Sequence, residues 1–259
     1  MEKKNVYHFL SLIIPVYKQE ATIVKNLRQI KKIIDKIRYP HEIIAVVDGI
    51  VDRSLQGIKN ANIIGVKTIG YMKNQGKSYA VRLGMSKAKG DYVMFMDSGM
   101  EIDPNAISML LEHMEWYDAD IIVGSKRHPA SFVKYSTMRK ILSYGYYLLI
   151  KFLFGLKIHD TQAGIKIFRK EVLKKVLPRL LEKRFTGDLE ILVVANTLGF
   201  KRIFEAPIKM DYNLGSLTSA ATLKSIIGIA LDTLAIFYRK NILRYYNRPH
   251  HRFLKSKHA

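Results

Sequence analysis

The chain is 259 residues long, and its 43 Lys and Arg against 22 Asp and Glu give a formal net charge of +21 at pH 7. A charge of that size indicates an anionic partner, such as nucleic acid, a membrane surface or phosphorylated substrates. A hydrophobic fraction of 48% with 16 Gly and 7 Pro excludes a disordered or collagen-like chain, and the absence of Cys excludes disulfides, thiolate metal sites and a cysteine nucleophile.

Strand-like and helix-like segments alternate through the first half of the chain. Short apolar runs typical of buried strands occur at 10–16, 42–47, 63–66, 92–96 and 121–123. Apolar residues at helical spacing, or helix-start signals, occur at 21–37, 77–89 and 104–115. This alternation predicts an α/β fold with a mostly parallel, doubly wound sheet, whose ligands bind at the carboxyl ends of its strands.

The second half of the chain is less regular. We predict strands at 163–168 and 201–208, and helices at 170–177, 188–197 and 225–238. No repeat or low-complexity linker divides the chain. We therefore expect one catalytic domain over 1–216, with an amphipathic interface stretch at 131–157, followed by a C-terminal amphipathic helix and basic tail at 217–259.

Two apolar stretches have the composition of membrane-surface segments. The stretch at 141–156 is interrupted by Lys151 and the one at 225–238 by Asp232, so neither supplies the roughly 20 apolar residues that cross a bilayer. Their aromatics and flanking cations are typical of helices lying in the headgroup plane of an anionic membrane. An ordinary core helix followed by a solvated basic tail is the alternative for the second stretch.

Acidic and basic residues follow the predicted strands. Asp97 and Glu101 come directly after the strand at 92–96, where carboxylates beside a Gly suit Mg²⁺ or Mn²⁺, although an Asp after a strand is also ordinary turn chemistry. The N-Q-G-K sequence ending at Lys77 starts a helix, where free N–H groups and a cation can meet a phosphate. Asp188 and Glu190 start another helix, and there a simple N-terminal cap is the alternative to a functional role.

Several ordered motifs together carry a family resemblance. They are L-S-L-I-I-P-V-Y-K-Q-E at 10–20, E-I-I-A-V-V-D-G-I-V-D-R-S at 42–54, N-Q-G-K-S-Y-A-V-R-L-G at 74–84, G-D-Y-V-M-F-M-D-S at 90–98 and H-D-T-Q-A-G-I-K-I-F-R at 159–169. The chain resembles family two glycosyltransferases with the nucleotide-diphospho-sugar transferase (GT-A type) fold. Among them it is similar to the polyprenyl-phosphate glycosyltransferases, such as dolichyl-phosphate mannose and glucose synthases.

The resemblance implies roles for the residues at matching positions. The nucleotide sugar would be bound by Pro15, Tyr17, Glu20, Asp48, Lys77, Arg82 and Asp97. The metal, Mg²⁺ or Mn²⁺, would be held by Asp97 and Glu101, with Gly99 in place of the second acid of the D-x-D-x-Q pattern. Asp188 and Asp97 would be the catalytic residues. The phosphate of the acceptor would be bound by Lys126, Arg127, Arg139 and Ser143.

The resemblance also implies an activity. The chain would transfer a hexose, with inversion, from UDP-glucose or GDP-mannose to a polyprenyl or dolichyl phosphate. It would be a peripheral enzyme without a transmembrane helix, at the cytoplasmic face of an anionic membrane. The alternatives are a family two glycosyltransferase acting on a glycan or other hydroxyl, a non-catalytic membrane-bound relative, and a nucleic-acid binder. We expect no nucleic acid as a partner, because no nucleic-acid module is visible and acids follow the strands.

Two segments account for most of the charge excess. Residues 121–159 contain seven Lys and Arg and no acid, and residues 212–259 contain eight against one Asp, so each contributes +7. They are the same segments that contain the amphipathic stretches. This distribution favours a lipid surface and a lipid phosphate as the anionic partners.

Overall fold

The computed structural model describes residues 8–133, 137–184, 186–210 and 223–248, without the side chains of 137–142 and 223–226. The predicted domain boundary at 216 and the basic tail beyond 248 lie outside the described residues. Within them, the strands are β1 Leu10–Val16, β2 His41–Asp48, β3 Val66–Tyr71, β4 Tyr92–Met96, β5 Ile121–Ser125, β6 Phe132–Val133, β7 Ile165–Arg169, β8 Ile203–Pro207 and β9 Lys209–Met210. The helices are α1 Ile23–Ile34, α2 Ser54–Ala61, α3 Lys77–Lys87, α4 Ala106–Trp116, α5 Thr137–Phe154, α6 Lys170–Val176, α7 Gly187–Thr197 and α8 Leu223–Asn241.

Seven of these strands form one sheet in the order β3-β2-β1-β4-β7-β5-β8. Strands β3, β2, β1 and β4 are parallel, as are β5 and β8, whereas β7 runs antiparallel between β4 and β5. The prediction of a mostly parallel α/β sheet is confirmed. Strands β6 and β9 pair separately as a short two-stranded ribbon.

The central strands are apolar because helices cover both faces of the sheet. Leu12 of β1 belongs to the same buried cluster as Leu27 of α1 and Leu110 of α4. Its neighbour Ile13 points to the other face and belongs to a second cluster, with Leu192 of α7. A strand buried on both faces needs no polar alternation, which explains the continuous apolar runs in the sequence.

The strand predicted at 63–66 is wrong. The strand β3 begins only at Val66 and continues to Tyr71, and Ile64 is 88% exposed in the turn before it. Because β3 is an edge strand, its V-K-T-I-G-Y sequence keeps polar residues and is only partly buried. The apolar run at 63–66 therefore lies mostly in the turn, and the more polar residues after it form the strand that pairs with β2.

Helix α2 has no counterpart among the predicted elements. Its buried residues are Ser54 and Ile58, and Gly57 lies between them. One buried apolar side chain produces no repeating helical spacing. Hydrophobic periodicity therefore does not predict such a short helix.

Helices α5 and α8 contact each other. The Tyr146 hydroxyl lies 3.1 Å from Thr233 Oγ1, and the rings of Phe154 and Phe237 meet edge to face at 6.2 Å. Their large exposed side chains, which we call the interface surface, are Tyr144, Leu148, Leu149, Phe152, Ile227, Leu231, Leu234 and Tyr238. Each helix thus has buried and exposed apolar residues. Among the described ranges, no helix combines the length and the hydropathy needed to cross a membrane.

Candidate active site

Three parallel strands end at one edge of the sheet and bring candidate residues together there. Because β1 pairs in parallel with both β2 and β4, the residues that follow Val16, Asp48 and Met96 lie at the same edge. The Ser98 hydroxyl donates a hydrogen bond of 2.8 Å to the Pro15 carbonyl and so links the ends of β1 and β4. This is the edge at which the sequence predicts ligand binding.

Tyr17 and Glu20 lie in the loop after β1. The Glu20 carboxylate accepts a hydrogen bond of 2.9 Å from the Arg53 N–H, and the Glu20 N–H donates to Asp52 at 3.2 Å. These bonds hold the loops after β1 and β2 together. The Tyr17 side chain is 44% exposed and remains accessible at this edge.

The buried carboxylate of Asp48 is used to hold the loop before α3. It accepts hydrogen bonds from the Tyr71 hydroxyl at 2.8 Å, the Asn74 amide at 3.0 Å, and the N–H groups of Gln75 at 2.7 Å and Gly76 at 3.0 Å. The prediction that these N–H groups are free to meet a phosphate is therefore wrong for Gln75 and Gly76. Asp48 instead fixes the backbone from which α3 begins.

Four charged side chains of alternating sign form a row that we call the acid–lysine chain: Asp97, Lys77, Asp188 and Lys166. The Lys77 Nζ lies 2.7 Å from Asp97 Oδ1 and 3.5 Å from Asp188 Oδ2. The Lys166 Nζ lies 3.2 Å from Asp188 Oδ1 and donates to the Ala163 carbonyl at 2.7 Å. The structure thus brings the predicted residues Asp97, Lys77 and Asp188 into contact, and the charges of the four side chains sum to zero.

The surroundings of the acid–lysine chain determine its ionisation. Burial by itself would raise the pKa of Asp188, but the Lys166 and Lys77 ammonium groups outweigh burial and hold this pKa below its ordinary value. Burial lowers the pKa of Lys166, which Asp188 only partly opposes. At Lys77 the two carboxylates outweigh burial and raise the pKa. Asp188 is therefore an ionised carboxylate at neutral pH, not a proton donor.

Each member of the acid–lysine chain comes from a different element. Asp97 follows β4, Lys77 begins α3, Asp188 lies in the first turn of α7, and Lys166 lies in β7. A Cβ atom at Gly164 would lie 2.2 Å from Asp97 Oδ2, so a larger residue there would displace this carboxylate from its present position. The chain therefore depends on the packing of four elements at one edge.

The two acids at the start of α7 do not act as a simple helix cap. Asp188 faces two lysines, and Glu190 accepts hydrogen bonds of 2.9 Å from the N–H groups of Leu181 and Glu182, which precede the helix. Thr186, at the N-cap position, makes no capping bond with its side chain. The capping interpretation of these acids is therefore wrong.

Sequence reasoning does not single out Lys166, although a signal for it exists. This Lys interrupts the apolar I-K-I-F run of the last motif, and its side chain is fully buried. A lysine is almost never fully buried without a partner. A Lys inside a strand covered on both faces therefore predicts a buried carboxylate nearby, which here is Asp188.

Arg82 lies on α3, on the core side of the acid–lysine chain. It is buried, and it lines a small cavity between α3 and α7 together with Lys77, Glu182, Asp188 and Glu190. Burial lowers the pKa of Arg82, which Glu190 partly opposes. Arg82 therefore lines the same cavity as Lys77 and Asp188, inside the core.

Asp97 and Glu101 are the acids predicted to hold a divalent cation. The Asp97 side chain is 45% exposed, so its carboxylate is open to a ligand on one side. In the part of the chain that is described, no group of three or more His, Asp or Glu side chains is placed to hold a metal ion. Carboxylate oxygens fit Mg²⁺ or Mn²⁺ when waters and substrate phosphate oxygens complete the coordination, as is usual for Mg²⁺.

A second polar region, which we call the basic cleft, lies beside α5. Its polar lining consists of Lys126, Ser143, Tyr146, Tyr147, His159, Asp160, Thr161 and Gln162. The Lys126 N–H donates to Asp160 Oδ2 at 3.0 Å, and its Nζ lies 3.7 Å from the same oxygen. Asp160 thus fixes the turn after β5 that carries the predicted phosphate-binding residues.

Arg127 joins this turn to α5. Its guanidinium donates a hydrogen bond of 2.6 Å to Ser143 Oγ and lies 5.8 Å and 5.9 Å from the ring centres of Tyr144 and Tyr147. Of the predicted phosphate-binding residues, the structure therefore brings Lys126, Arg127 and Ser143 together. The side chain of Arg139 lies outside the described residues.

Comparison with known proteins identifies relatives of the sequence. Residues 11–177 match the model of glycosyl transferase family 2. The chain is 28% identical over 209 residues to a dolichyl-phosphate beta-glucosyltransferase of Dictyostelium discoideum, covering 75% of this chain and 63% of the relative. It is 24% identical over 255 residues to a dodecaprenyl-phosphate galacturonate synthase of Rhizobium johnstonii, covering 94% and 70%. The chain thus spans less than two thirds of the Dictyostelium protein.

Solved structures share the fold. The chain is similar to glucosyl-3-phosphoglycerate synthase from Mycobacterium tuberculosis, crystallised with Mn²⁺, UDP and phosphoglyceric acid, with a TM-score of 0.64 and 15% identity over 93% of this chain and 80% of that chain. At this identity the likeness concerns the fold. The predicted GT-A type architecture is confirmed.

Proposed function

The chain belongs to glycosyl transferase family 2, and we propose that it transfers a hexose from a nucleotide diphosphate sugar to a polyprenyl phosphate of the dolichyl type. The observation that carries this proposal is the position of the basic cleft. It lies beside α5, and the same helix presents the exposed apolar residues of the interface surface. A lipid phosphate needs both features, since its headgroup requires cationic donors and its chain an apolar surface.

The donor site of this proposal is the edge that holds Tyr17, Lys77 and Asp97. Relatives named as beta-glucosyltransferases and a fold neighbour crystallised with UDP support UDP-glucose over GDP-mannose as the donor. Asp97 and Glu101 would hold Mg²⁺ or Mn²⁺, which would neutralise charge on the leaving diphosphate. Lys77 would add a fixed positive charge beside the same group.

The acceptor site of the proposal is the basic cleft. Arg127 presents planar N–H donors suited to a phosphate, Ser143 presents a hydroxyl, and Lys126 adds an ammonium group. Arg139 follows on α5 and is proposed as a further donor to the same phosphate. The aromatic rings under Arg127 hold its guanidinium in place without neutralising it.

The reaction then proceeds by one displacement with inversion. An acceptor phosphate oxygen forms a bond to the anomeric carbon of the sugar, while the bond from that carbon to the diphosphate breaks and its electron pair leaves with the nucleotide. The acceptor phosphate is already anionic at neutral pH, so the protein aligns the reactants and stabilises charge. Asp188, an ionised carboxylate between two lysines, would hold Lys77 in position toward the donor and orient the acceptor.

We place the protein peripherally at the cytoplasmic face of a membrane, through the interface surface of α5 and α8. Exposed aromatic and aliphatic side chains with flanking cations are suited to the headgroup region of anionic lipid. Lys240 lies in the last turn of α8 and supplies such a cation, whereas Arg239 is paired with Glu182. The nucleotide-sugar donor would then approach from the water side.

The test is a transfer assay with purified protein. Radiolabelled UDP-glucose and GDP-mannose are each supplied with a polyprenyl phosphate, and a lipid-linked monosaccharide is expected that Asp97→Ala abolishes and the surface control Asp35→Ala leaves intact. A product only on a glycan or other hydroxyl acceptor would assign the second family two activity instead. No transfer to the lipid with any donor overturns the proposal.

A further inference from the structure

The segment 181–187 connects the acid–lysine chain to the C-terminal helix. It precedes Asp188 directly, and its described residues contact α3 on one side and α8 on the other. The matched family region ends at residue 177. Segment 181–187 and α8 therefore lie in the part of the chain that the family model leaves out, while α3 lies within the matched part.

On the α3 side, the segment packs closely against the residues that follow Lys77. The Ser78 hydroxyl donates to the Arg184 carbonyl, and the Tyr79 N–H donates to the Lys183 carbonyl at 3.3 Å. A Cβ atom at Gly76 would lie 2.3 Å from the Lys183 oxygen. A shift of segment 181–187 would therefore move the start of α3, which carries Lys77.

Glu190 ties the segment to α7 and to the last turn of the described chain. Its carboxylate is fully buried and accepts hydrogen bonds from the N–H groups of Leu181 and Glu182, and from the Tyr246 hydroxyl at 2.8 Å. Tyr246 is itself fully buried. A buried carboxylate depends on such donors, because each lost donor leaves charge without solvation.

Helix α8 holds the same segment through two further contacts. Arg239 donates to the Glu182 carboxylate and lies 3.9 Å from Glu190 Oε1. The Thr186 hydroxyl donates to Asp232 Oδ2 at 3.0 Å. Thr186 and Glu190 lie on either side of Asp188 in sequence, so α8 and its following turn hold both flanks of that carboxylate.

We propose that Tyr246 and Arg239 are positioning residues for the active site. They hold segment 181–187 and thereby keep the side chains of Asp188 and Lys77 in contact. The consequence for catalysis rests on the proposed function, whereas the mechanical link does not. Helix α8 is then part of the catalytic unit as well as part of the interface surface. Loss of either contact lets the first turn of α7 open while the central sheet keeps its order.

The first test is amide hydrogen exchange on the full chain carrying Tyr246→Phe, which removes only the hydroxyl. We expect the amides of Leu181, Glu182, Leu189 and Glu190 to exchange about tenfold faster, with the amides of β2 unchanged. The matched control is Tyr238→Phe, because that tyrosine lies on the exposed side of α8. This readout needs no substrate, so it stays valid if no lipid product is found.

The second test is transferase kinetics. Tyr246→Phe is expected to lower kcat about tenfold with a smaller change in the KM for the nucleotide sugar, since Lys77 and Asp188 shift while Tyr17 of the donor site is not touched. Arg239→Gln should act in the same direction, and Arg239→Lys should recover most of the rate because it keeps the charge. Arg239 is partly exposed and provides the measurement if Tyr246→Phe does not fold. The proposal is overturned if the amides of 181–190 exchange as in the wild type in both Tyr246→Phe and Arg239→Gln. It is also overturned if kcat falls while exchange at these amides is unchanged.

Discussion

The two polar regions of the molecule compensate their charges in different ways. In the acid–lysine chain, each ammonium group lies within 3.5 Å of a carboxylate, and the four charges cancel. In the basic cleft, Lys126 lies 3.7 Å from Asp160, but Arg127 beside the cleft is held by a hydroxyl and two aromatic rings, and its described contacts include no carboxylate. The charges of the first region cancel, whereas the second region keeps the positive charge of Arg127.

This difference separates a region whose geometry is fixed by its own charges from one that we propose binds the anionic acceptor. Removing one member of a buried ion pair leaves an uncompensated charge, which is costly. Removing a half-buried cation without a carboxylate partner, such as Arg127, costs the fold less and costs mainly the binding of its ligand.

The largest effect is expected for Asp188→Asn. The amide cannot neutralise Lys77 and Lys166, so both ammonium groups face a neutral side chain and Lys77 loses its second partner. Transfer to polyprenyl phosphate should fall about a hundredfold or more, measured as the initial rate of lipid-linked sugar formation. Asp35→Asn makes the same chemical change in an exposed pair and should leave the rate unchanged; a near wild-type rate in Asp188→Asn would remove this residue from the mechanism.

The next largest effect is expected on the free energy of unfolding, which should fall more for a substitution in the acid–lysine chain than for one at the basic cleft. Lys166→Met keeps the volume of a fully buried side chain but leaves Asp188 with Lys77 alone, and we expect the free energy of unfolding to fall by about 3 kcal/mol. Arg127→Met at the basic cleft should cost less than about 1 kcal/mol. Urea denaturation of both variants measures the difference. Equal losses would contradict the distinction between the regions.

The pH dependence of stability should also report on Asp188. Its folded-state pKa lies below the ordinary value of 3.8 because two ammonium groups outweigh burial. A carboxyl with a depressed pKa stabilises the fold above its unfolded pKa, and this contribution is lost as the pH falls through the folded pKa. The difference in unfolding free energy between wild type and Asp188→Asn should therefore be constant near neutral pH and shrink below about pH 4. A difference that grows on acidification would show that the carboxylate is not stabilised by the lysines.

The smallest effect is expected at the interface surface. Phe152 is 87% exposed on α5, and Phe152→Ser should weaken binding to phosphatidylglycerol vesicles roughly tenfold in a sedimentation assay, since it removes one insertable side chain. Trp116, 85% exposed on α4, is the matched control, and Trp116→Ser should leave binding unchanged. Equal effects of the two substitutions would place the membrane contact elsewhere.

Much of the first half of the fold follows from the sequence. The apolar runs at 10–16 and 92–96 match β1 and β4 at both ends, because strands buried on both faces are continuous in hydrophobicity. The exceptions are β3, an edge strand with polar residues, and α2, with one buried apolar side chain. Both lie where burial is slight, and slight burial leaves weak periodicity.

The candidate site follows from the sequence only in part. Asp97 and Lys77 are predictable because each lies at a strand end or helix start that a parallel sheet brings to one edge. Lys166 leaves a signal, a Lys inside an apolar strand, but the sequence does not identify its partner Asp188, and Tyr246 leaves no signal because its partner Glu190 lies 56 residues away. The sequence predicts that Asp48 faces the nucleotide, and its bonds to Tyr71 of β3 and to Asn74, Gln75 and Gly76 of the loop before α3 appear only in the folded structure.

The sequence by itself therefore determined the family, the mostly parallel sheet, and the edge at which the acids collect. These properties depend on local hydrophobic spacing and on the rule that parallel strands end together. Only the tertiary structure decided which charge neutralises which, and that α8 holds the flanks of Asp188. The reason is physical. An ion pair or a buried hydrogen bond forms between the groups that packing brings within about 3 Å of each other, and the separation of two residues in the sequence does not determine that distance.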